Sequence, residues 1–312
     1  MKIIKIPVVA SALATLLWLL PPGVWAGSPL NVQVSILPQK YFVERIGKER
    51  VNVDALVKPG KSPEVYSPSP DQIKKLMSAD VYFRIGIDFE NGIIPKLESG
   101  SGLKIVDTRE GIVLRDMEEH LHDEDGHPGH DADHGKEKKE TGHTGKDPHI
   151  WVDPENVKIQ AGTILKTLSA LDPAGADIYR TNHDAFIKDL EALNLHLKDA
   201  LKGLKGENLF VFHPAFGYFT DRYGLNQIAV ETMGKAPKGK ELSNIIKLAK
   251  KEKVRVIFVQ PQFDQTTAQK IAAAINGAVL SIDNLAYDYL NSMESMAKTI
   301  ADALKPGKPQ TE

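Results

Sequence analysis

The 312-residue chain contains no cysteine. That absence removes disulfide frameworks, thiolate zinc sites and thiol nucleophiles together. It leaves His, Asp and Glu as the side chains able to hold a transition metal, a donor set that suits Zn, Mn, Fe, Ni or Cu(II) and disfavours Cu(I). An excess of one charge is lacking too. Lys and Arg number 39 against 41 Asp and Glu, so there is no basic footprint and no nucleic acid is expected as a partner. Several enzyme signatures are missing: no His-Glu-x-x-His pair, no Gly-x-Ser-x-Gly elbow and no phosphate-cradling Gly-rich loop followed by Lys-Ser/Thr. The chain is expected not to be an enzyme.

Only the N-terminus carries a long apolar run. Lys2 and Lys5 precede the stretch Ile6–Leu20, and Val24-Trp25-Ala26 has the character of a cleavage site. The run is short for a bilayer span of ~20 residues and is followed by Pro21-Pro22, which disfavours the alternative of a membrane anchor. Residues 1–26 therefore read as a secretory signal peptide. With no cysteine to carry a lipid, the mature chain is expected to be a soluble periplasmic protein without a lipid anchor.

What is present is a twofold alternation of apolar strand-like and helical segments. Strands are expected at Val32–Leu37, Val51–Val57, Asp80–Ile85 and Leu103–Asp107, with helices between them. The pattern breaks at 115–146, a His- and acid-rich tract with almost nothing to bury, expected to stay unfolded. A helix at Pro154–Leu171 follows. A second, longer one carries Ile178, Phe186, Leu190, Leu193, Leu197 and Leu201 at three- to four-residue spacing. Beyond it the alternation restarts, with strands at Leu209–Phe212, Leu225–Val230, Val254–Val259 and Ala278–Ile282. The expected fold is α/β: two lobes with mainly parallel sheets joined by a long rigid linker helix, with a metal site in the cleft between them. The divisions are 27–172 for the N-terminal lobe, 173–204 for the linker helix and 205–312 for the C-terminal lobe.

Ligands bind outside the carboxyl ends of parallel strands, and four metal-ligating residues fall at such places. Glu64 lies in a Pro-rich loop after a strand, and His149 sits between Pro148 and Pro154. His213 and Asp283 each end a strand of the second half. Two from each lobe could face one cleft and close the coordination sphere of a borderline dication. Each also has an ordinary reading: His213 as a hydrogen-bonded core imidazole, Asp283 in an Asx-turn with Asn284, Glu64 as a solvated charge. His183 and His196 fall on the long helix and are expected at the surface. In the tract, His120, His122, His127, His130, His134 and His143 make an auxiliary low-affinity metal loop, because His-rich tracts bind metal.

Four stretches together carry a family resemblance: Lys58–Pro70, Ala79–Glu90, Asp147–Pro154 and Phe212–Phe219. With them the chain resembles the zinc branch of the ZnuA/TroA-like solute-binding proteins that serve zinc and manganese ABC transporters. The resemblance implies two α/β lobes joined by a rigid helix, a metal in the cleft and delivery to an ABC permease of the inner membrane by a monomeric binding protein. It implies that His149 and His213 are metal-binding histidines and that Asp283 is the carboxylate ligand. Glu64 stands where the family usually has His. Glu can replace His at zinc, but an oxygen-richer set also accommodates Mn(II) or Fe(II). The His-rich tract, similar to that of the family's zinc members, favours Zn(II). The alternatives are a Mn(II)/Fe(II) protein of the same transporter class, an envelope metalloenzyme, or a metal buffer.

Overall fold

The computed structural model describes residues 28–100, 102–117, 145–231 and 236–305. The expected signal peptide and the tract histidines His120, His122, His127, His130, His134 and His143 lie outside the described residues. Among the described residues no helix is long and apolar enough to cross a membrane.

Strands β1 (Leu30–Val34), β2 (Val51–Ala55), β3 (Val81–Arg84) and β4 (Lys104–Asp107) form a wholly parallel sheet in the order β2-β1-β3-β4. Strands β5 (Asn208–Val211), β6 (Asn226–Ala229), β7 (Val256–Val259) and β8 (Ala278–Ser281) repeat that path as β6-β5-β7-β8. In each half the chain starts inside the sheet, steps one way and then crosses back. The strand order reverses between β1 and β3 and between β5 and β7, which is where open parallel sheets leave a crevice at their carboxyl ends.

Period-two alternation sorts each sheet's two faces. Val81 and Phe83 of β3 enter the central core, whereas Tyr82 packs outward with Leu76 of α2 (Pro70–Met77) and with Ile93 and Leu97 of α3 (Asp88–Glu98). Likewise Val256 and Phe258 of β7 face the central core, while Ile257 and Val259 meet Ala268 and Ile271 of α8 (Thr266–Ile275). Helix α2 starts where the sequence signals it. Ser69 accepts from the Gln72 backbone N–H, the Gln72 side chain returns the bond to Ser69 N–H, and Pro70 fills the first turn.

The central core is continuous across both halves. Helix α5 (Ala176–Ala200), 25 residues and about 37 Å long, runs through it. It packs on α4 (Pro154–Leu171), on α1 (Leu37–Gly47) of the first half, and on α9 (Tyr289–Leu304), the last helix of the second. It joins the halves by sharing its buried face with both. That face is Tyr179, Phe186, Leu190, Leu193 and Leu197. Ile178, expected on it, is 40% exposed. The helix begins only after a tight turn at Pro173–Gly175, and Asp172 before that turn accepts from the Tyr179 hydroxyl (2.6 Å) and from Arg50 (2.6 and 2.8 Å). This anchor turns Tyr179 inward and its neighbour outward. Phe186 is fully buried, with the Tyr41 and Phe42 rings at 6.1 and 5.9 Å. Phe186→Ala is expected to cost ~3–5 kcal/mol, read as a lowered urea midpoint. A loss under about 1 kcal/mol would contradict a core shared through α5.

The tract between the halves is not unstructured at its ends. Asp116 pairs with Lys146 as an antiparallel bridge, flanked by Met117 N–H to Gly145 O (3.1 Å) and Asp147 N–H to Arg115 O (3.0 Å). Lys146 Nζ reaches Asp116 at 2.6 Å. Backbone hydrogen bonds and a surface ion pair close this base without apolar side chains, which is why composition alone gave no sign of it.

Candidate metal centre

His149 follows Pro148 and opens a single 3-10 turn, Ile150–Val152. Trp151 in that turn is fully buried, and its Nε1–H donates to Asn284 O just past β8 (2.7 Å). Asp153 caps α4 through Glu155 N–H (3.0 Å) and also takes Arg222 of α6 (Gly217–Tyr223) at 2.7 Å. His149 is thus held on a short segment tied at two points to the second half.

His213 lies two residues beyond β5, beside the reversal point of the second sheet. Its backbone carbonyl accepts from Gln260 Nε2, at the end of β7 (3.2 Å), and its ring stacks on Phe263 with centroids 4.8 Å apart. Glu64 sits in the 3-10 turn Pro63–Val65, which Ser62 caps by accepting from Glu64 N–H (3.2 Å).

These three residues meet. Nε2 of His149 and Nε2 of His213 are 3.3 Å apart, and Oε1 of Glu64 lies 3.5 Å from the first and 3.3 Å from the second. His149 and His213 are 1% and 5% exposed, and Glu64 is on the outer side with 19% of its side chain exposed. Among the described residues this is the one group of His and acidic side chains whose ligand atoms converge in this way.

Both imidazoles are oriented from behind. Nδ1 of His149 is 2.8 Å from Oδ1 of Asp147, which also accepts His149 N–H (2.9 Å). Nδ1 of His213 contacts Oε1 of Glu231. A carboxylate can only accept, so each Nδ1 carries the hydrogen and each Nε2 is turned toward the shared point.

Electrostatics bind the trio together. Burial works against the Glu64 charge, but hydrogen bonds from His149 and His213 outweigh it and hold the carboxyl far below the usual carboxylate range. Burial likewise opposes charge on His149, yet the Asp147 carboxylate and then Glu64 raise it to about 9. His213 is raised as well: burial is overcome by hydrogen bonds to Glu231 and Glu64. Acids on both sides thus favour the charged form of each imidazole, while His149 and His213 oppose one another's charge across the shared point.

Asp283 is not brought into this group. Its Oδ1 accepts from Leu285 N–H (2.9 Å) in an Asx-turn and from Gln262 Nε2 (2.9 Å). It lines a neighbouring groove of about 220 Å³ between the Lys58–Lys61 loop and Tyr287. His183 is half-buried with its ring beside Asp184 (3.0 Å), and His196 is exposed beside Glu294 (2.8 Å). Sequence reasoning missed Asp147 and Glu231. Asp147 had a local signal, a carboxylate two residues before His149 across a proline; Glu231, 18 residues beyond His213, had none.

Two parallel α/β halves with buried histidines converging between them define a two-lobed metal-binding protein. A family model described as "Zinc-uptake complex component A periplasmic" matches residues 32–303, and the chain belongs to that family. A solved structure described as the crystal structure of ZnuA is 35% identical, covers 88% of this chain and 99% of its own, and superposes with a TM-score of 0.77. A ZnuA deletion mutant with zinc bound is 34% identical, with a TM-score of 0.78 over 90% of this chain and 100% of that one. Among curated proteins, the zinc-binding lipoprotein AdcA of Streptococcus pneumoniae is 27% identical over 88% of this chain and 52% of its own length. The high-affinity zinc uptake system protein ZnuA of Bacillus subtilis is 24% identical over 88% of this chain and 82% of its own. The chain spans about half the length of the AdcA relatives that it matches.

Proposed function

We propose that this protein captures Zn(II) in the periplasm at Glu64, His149 and His213 and delivers it to the membrane permease of an ABC transporter. The observation that carries this reading is the donor triangle, with edges of 3.3, 3.3 and 3.5 Å. Ligands about 2.0–2.1 Å from a tetrahedral zinc stand about 3.3–3.4 Å from one another. An octahedral ion at about 2.1 Å would draw them to about 3.0 Å. The triangle has the size of one face of a zinc tetrahedron, which supports Zn(II) over a six-coordinate ion. Two neutral imidazoles and one carboxylate are zinc donors in kind, and the carboxylate behind each ring is the usual outer partner of a zinc-bound histidine.

The role is binding, not turnover. Both histidines are buried, and all three donors come from one chain, which supports action as a monomer. Family membership supports the permease partner and the periplasmic setting.

The test is a competitive titration of Zn(II) against Mn(II) with a chromophoric chelator. Zn(II) is expected to win. Asp283→Ala is expected to change zinc affinity by less than the roughly 10-fold that marks even outer-sphere partners, because Asp283 serves its own turn. Preference for Mn(II), or hydrolysis of an activated ester by the zinc-loaded protein above the rate of free zinc, would overturn the reading. A collapse of affinity in Asp283→Ala would instead return Asp283 to the ligand set.

A further inference from the structure

Arg115 reaches from the first half into the second at the carboxylate that orients His149. Its Nη1 is 3.3 Å from Oδ2 of Asp147, and its Nε is 3.1 Å from Oδ2 of Asp221 on α6. Its backbone N–H donates to the Tyr218 hydroxyl (3.1 Å), which in turn donates to Asp147 O (2.9 Å). The guanidinium also lies 6.0 Å from the Tyr218 ring centroid. The path it takes is open only because residue 217 is glycine. A Cβ there would overlap Nη1 of Arg115 and come within 2.9 Å of Oδ2 of Asp147.

Asp147 is fully buried, and both its oxygens are engaged. Oδ1 takes His149 N–H and Nδ1–H, and Oδ2 takes Arg115. Its backbone is held as well, by Arg115 O and by Tyr218. The helix that receives Arg115 begins four residues after His213. Arg115 thus touches the partner of one imidazole and the helix that follows the other.

We propose that Arg115, threaded over Gly217, is a positioning residue that keeps His149 in register with His213 across the two halves. This rests on the reading of Glu64, His149 and His213 as the zinc site. Asp147 by itself could orient the His149 ring, but without Arg115 only the Tyr218 hydroxyl, on the Asp147 backbone carbonyl, would tie it to α6, and its carboxylate would have no hold there. With Arg115 in place, the 3.3 Å separation of the two Nε2 atoms is set by a charge-assisted hydrogen bond on one side and helix packing on the other. Without it, the Asp147 carboxylate loses its buried cation and the imidazole loses its fixed backstop.

The experiment uses the full chain and Zn(II), with chelator competition as the readout. Arg115→Ala is expected to weaken zinc binding about 10-fold, the scale of outer-sphere metal partners. Gly217→Ala should weaken binding at least as much, because its Cβ expels the guanidinium and also crowds Oδ2 of Asp147, and the double variant should be no weaker than Gly217→Ala alone, since the Arg115 interaction is already lost there. Arg115→Lys should recover part of the loss. Asp221→Ala, which leaves the Asp147 contact intact, should stay within about twofold of wild type. Long-range 15N NMR of the zinc-loaded protein separates positioning from mere folding: His149 should show one Nε2-bound form in wild type and a mixture in Arg115→Ala. Urea midpoints for each variant identify any that fold poorly, with Arg115→Gln as the replacement.

Wild-type affinity in Arg115→Ala, or additive losses in the double variant, would overturn the proposal while leaving the zinc site standing. Failure of wild type to bind zinc through His149 would bring down the site itself, and shows before any Arg115 variant is made.

Discussion

Replacing His213 by Ala is expected to lower zinc affinity by more than 100-fold, beyond the roughly 10–100-fold attached to outer-sphere partners, and His149→Ala should match it. The reason is geometric. Each imidazole supplies one of three converging donors, and neither has a substitute among the described residues within reach of the same point. Both side chains are buried, so no outside ligand can take the place without first opening the site. Glu64→Ala should cost less than either histidine, because its side chain is 19% exposed and water can enter where it stood. Chelator competition measures all three. Circular dichroism and urea unfolding in the absence of metal check that each variant keeps its fold. If His213→Ala retained wild-type affinity, the tight site would lie elsewhere in the chain.

Zinc affinity should also climb steeply between pH 6 and pH 9. In the metal-free protein the His149 imidazole is held at about 9 and His213 is raised above its ordinary value. At neutral pH His149 is therefore protonated, and a dication must displace that proton to reach its Nε2 lone pair. Affinity gains about 10-fold per pH unit for each proton displaced, until pH passes the value of the group concerned. Calorimetry in buffers of different ionisation enthalpy should show proton release at pH 7 that shrinks toward pH 9.

The metal-free fold should respond in the opposite sense. A histidine whose value is raised on folding adds stability that is fully present below its unfolded value, about 6.5, and lost as pH rises through about 9. The apo protein should therefore lose urea resistance over the same range in which zinc binds more tightly. A flat affinity profile from pH 6 to 9 would contradict the buried acid–imidazole pairs seen behind each ring.

The local part of this protein could be read from the chain itself. The twofold alternation and the helix at Pro154–Leu171 are matters of period and turn chemistry, which act over a few residues. The lack of cysteine fixed the kind of donor, and the rule that ligands gather past the carboxyl ends of parallel strands pointed to Glu64, His149, His213 and Asp283, of which the first three converge. Where the expectation slipped, a distant partner was responsible. Ile178 and Tyr179 compete for one place on α5, and the choice is made by Asp172 and Arg50 on other elements. Asp283 has the chemistry of a ligand, and here its Oδ1 accepts from Leu285 N–H and Gln262, contacts that the sequence does not record.

Only the folded chain decides which side chains share a point in space. Glu64 follows β2, His149 precedes α4 and His213 lies just past β5, and no spacing in the sequence records that they come within 3.5 Å of one another. The same holds for Asp147, Glu231 and Arg115, whose roles depend on what stands behind an imidazole. Periodicity is a property of neighbours along the chain, whereas coordination is a property of neighbours in space, and long-range packing links the two.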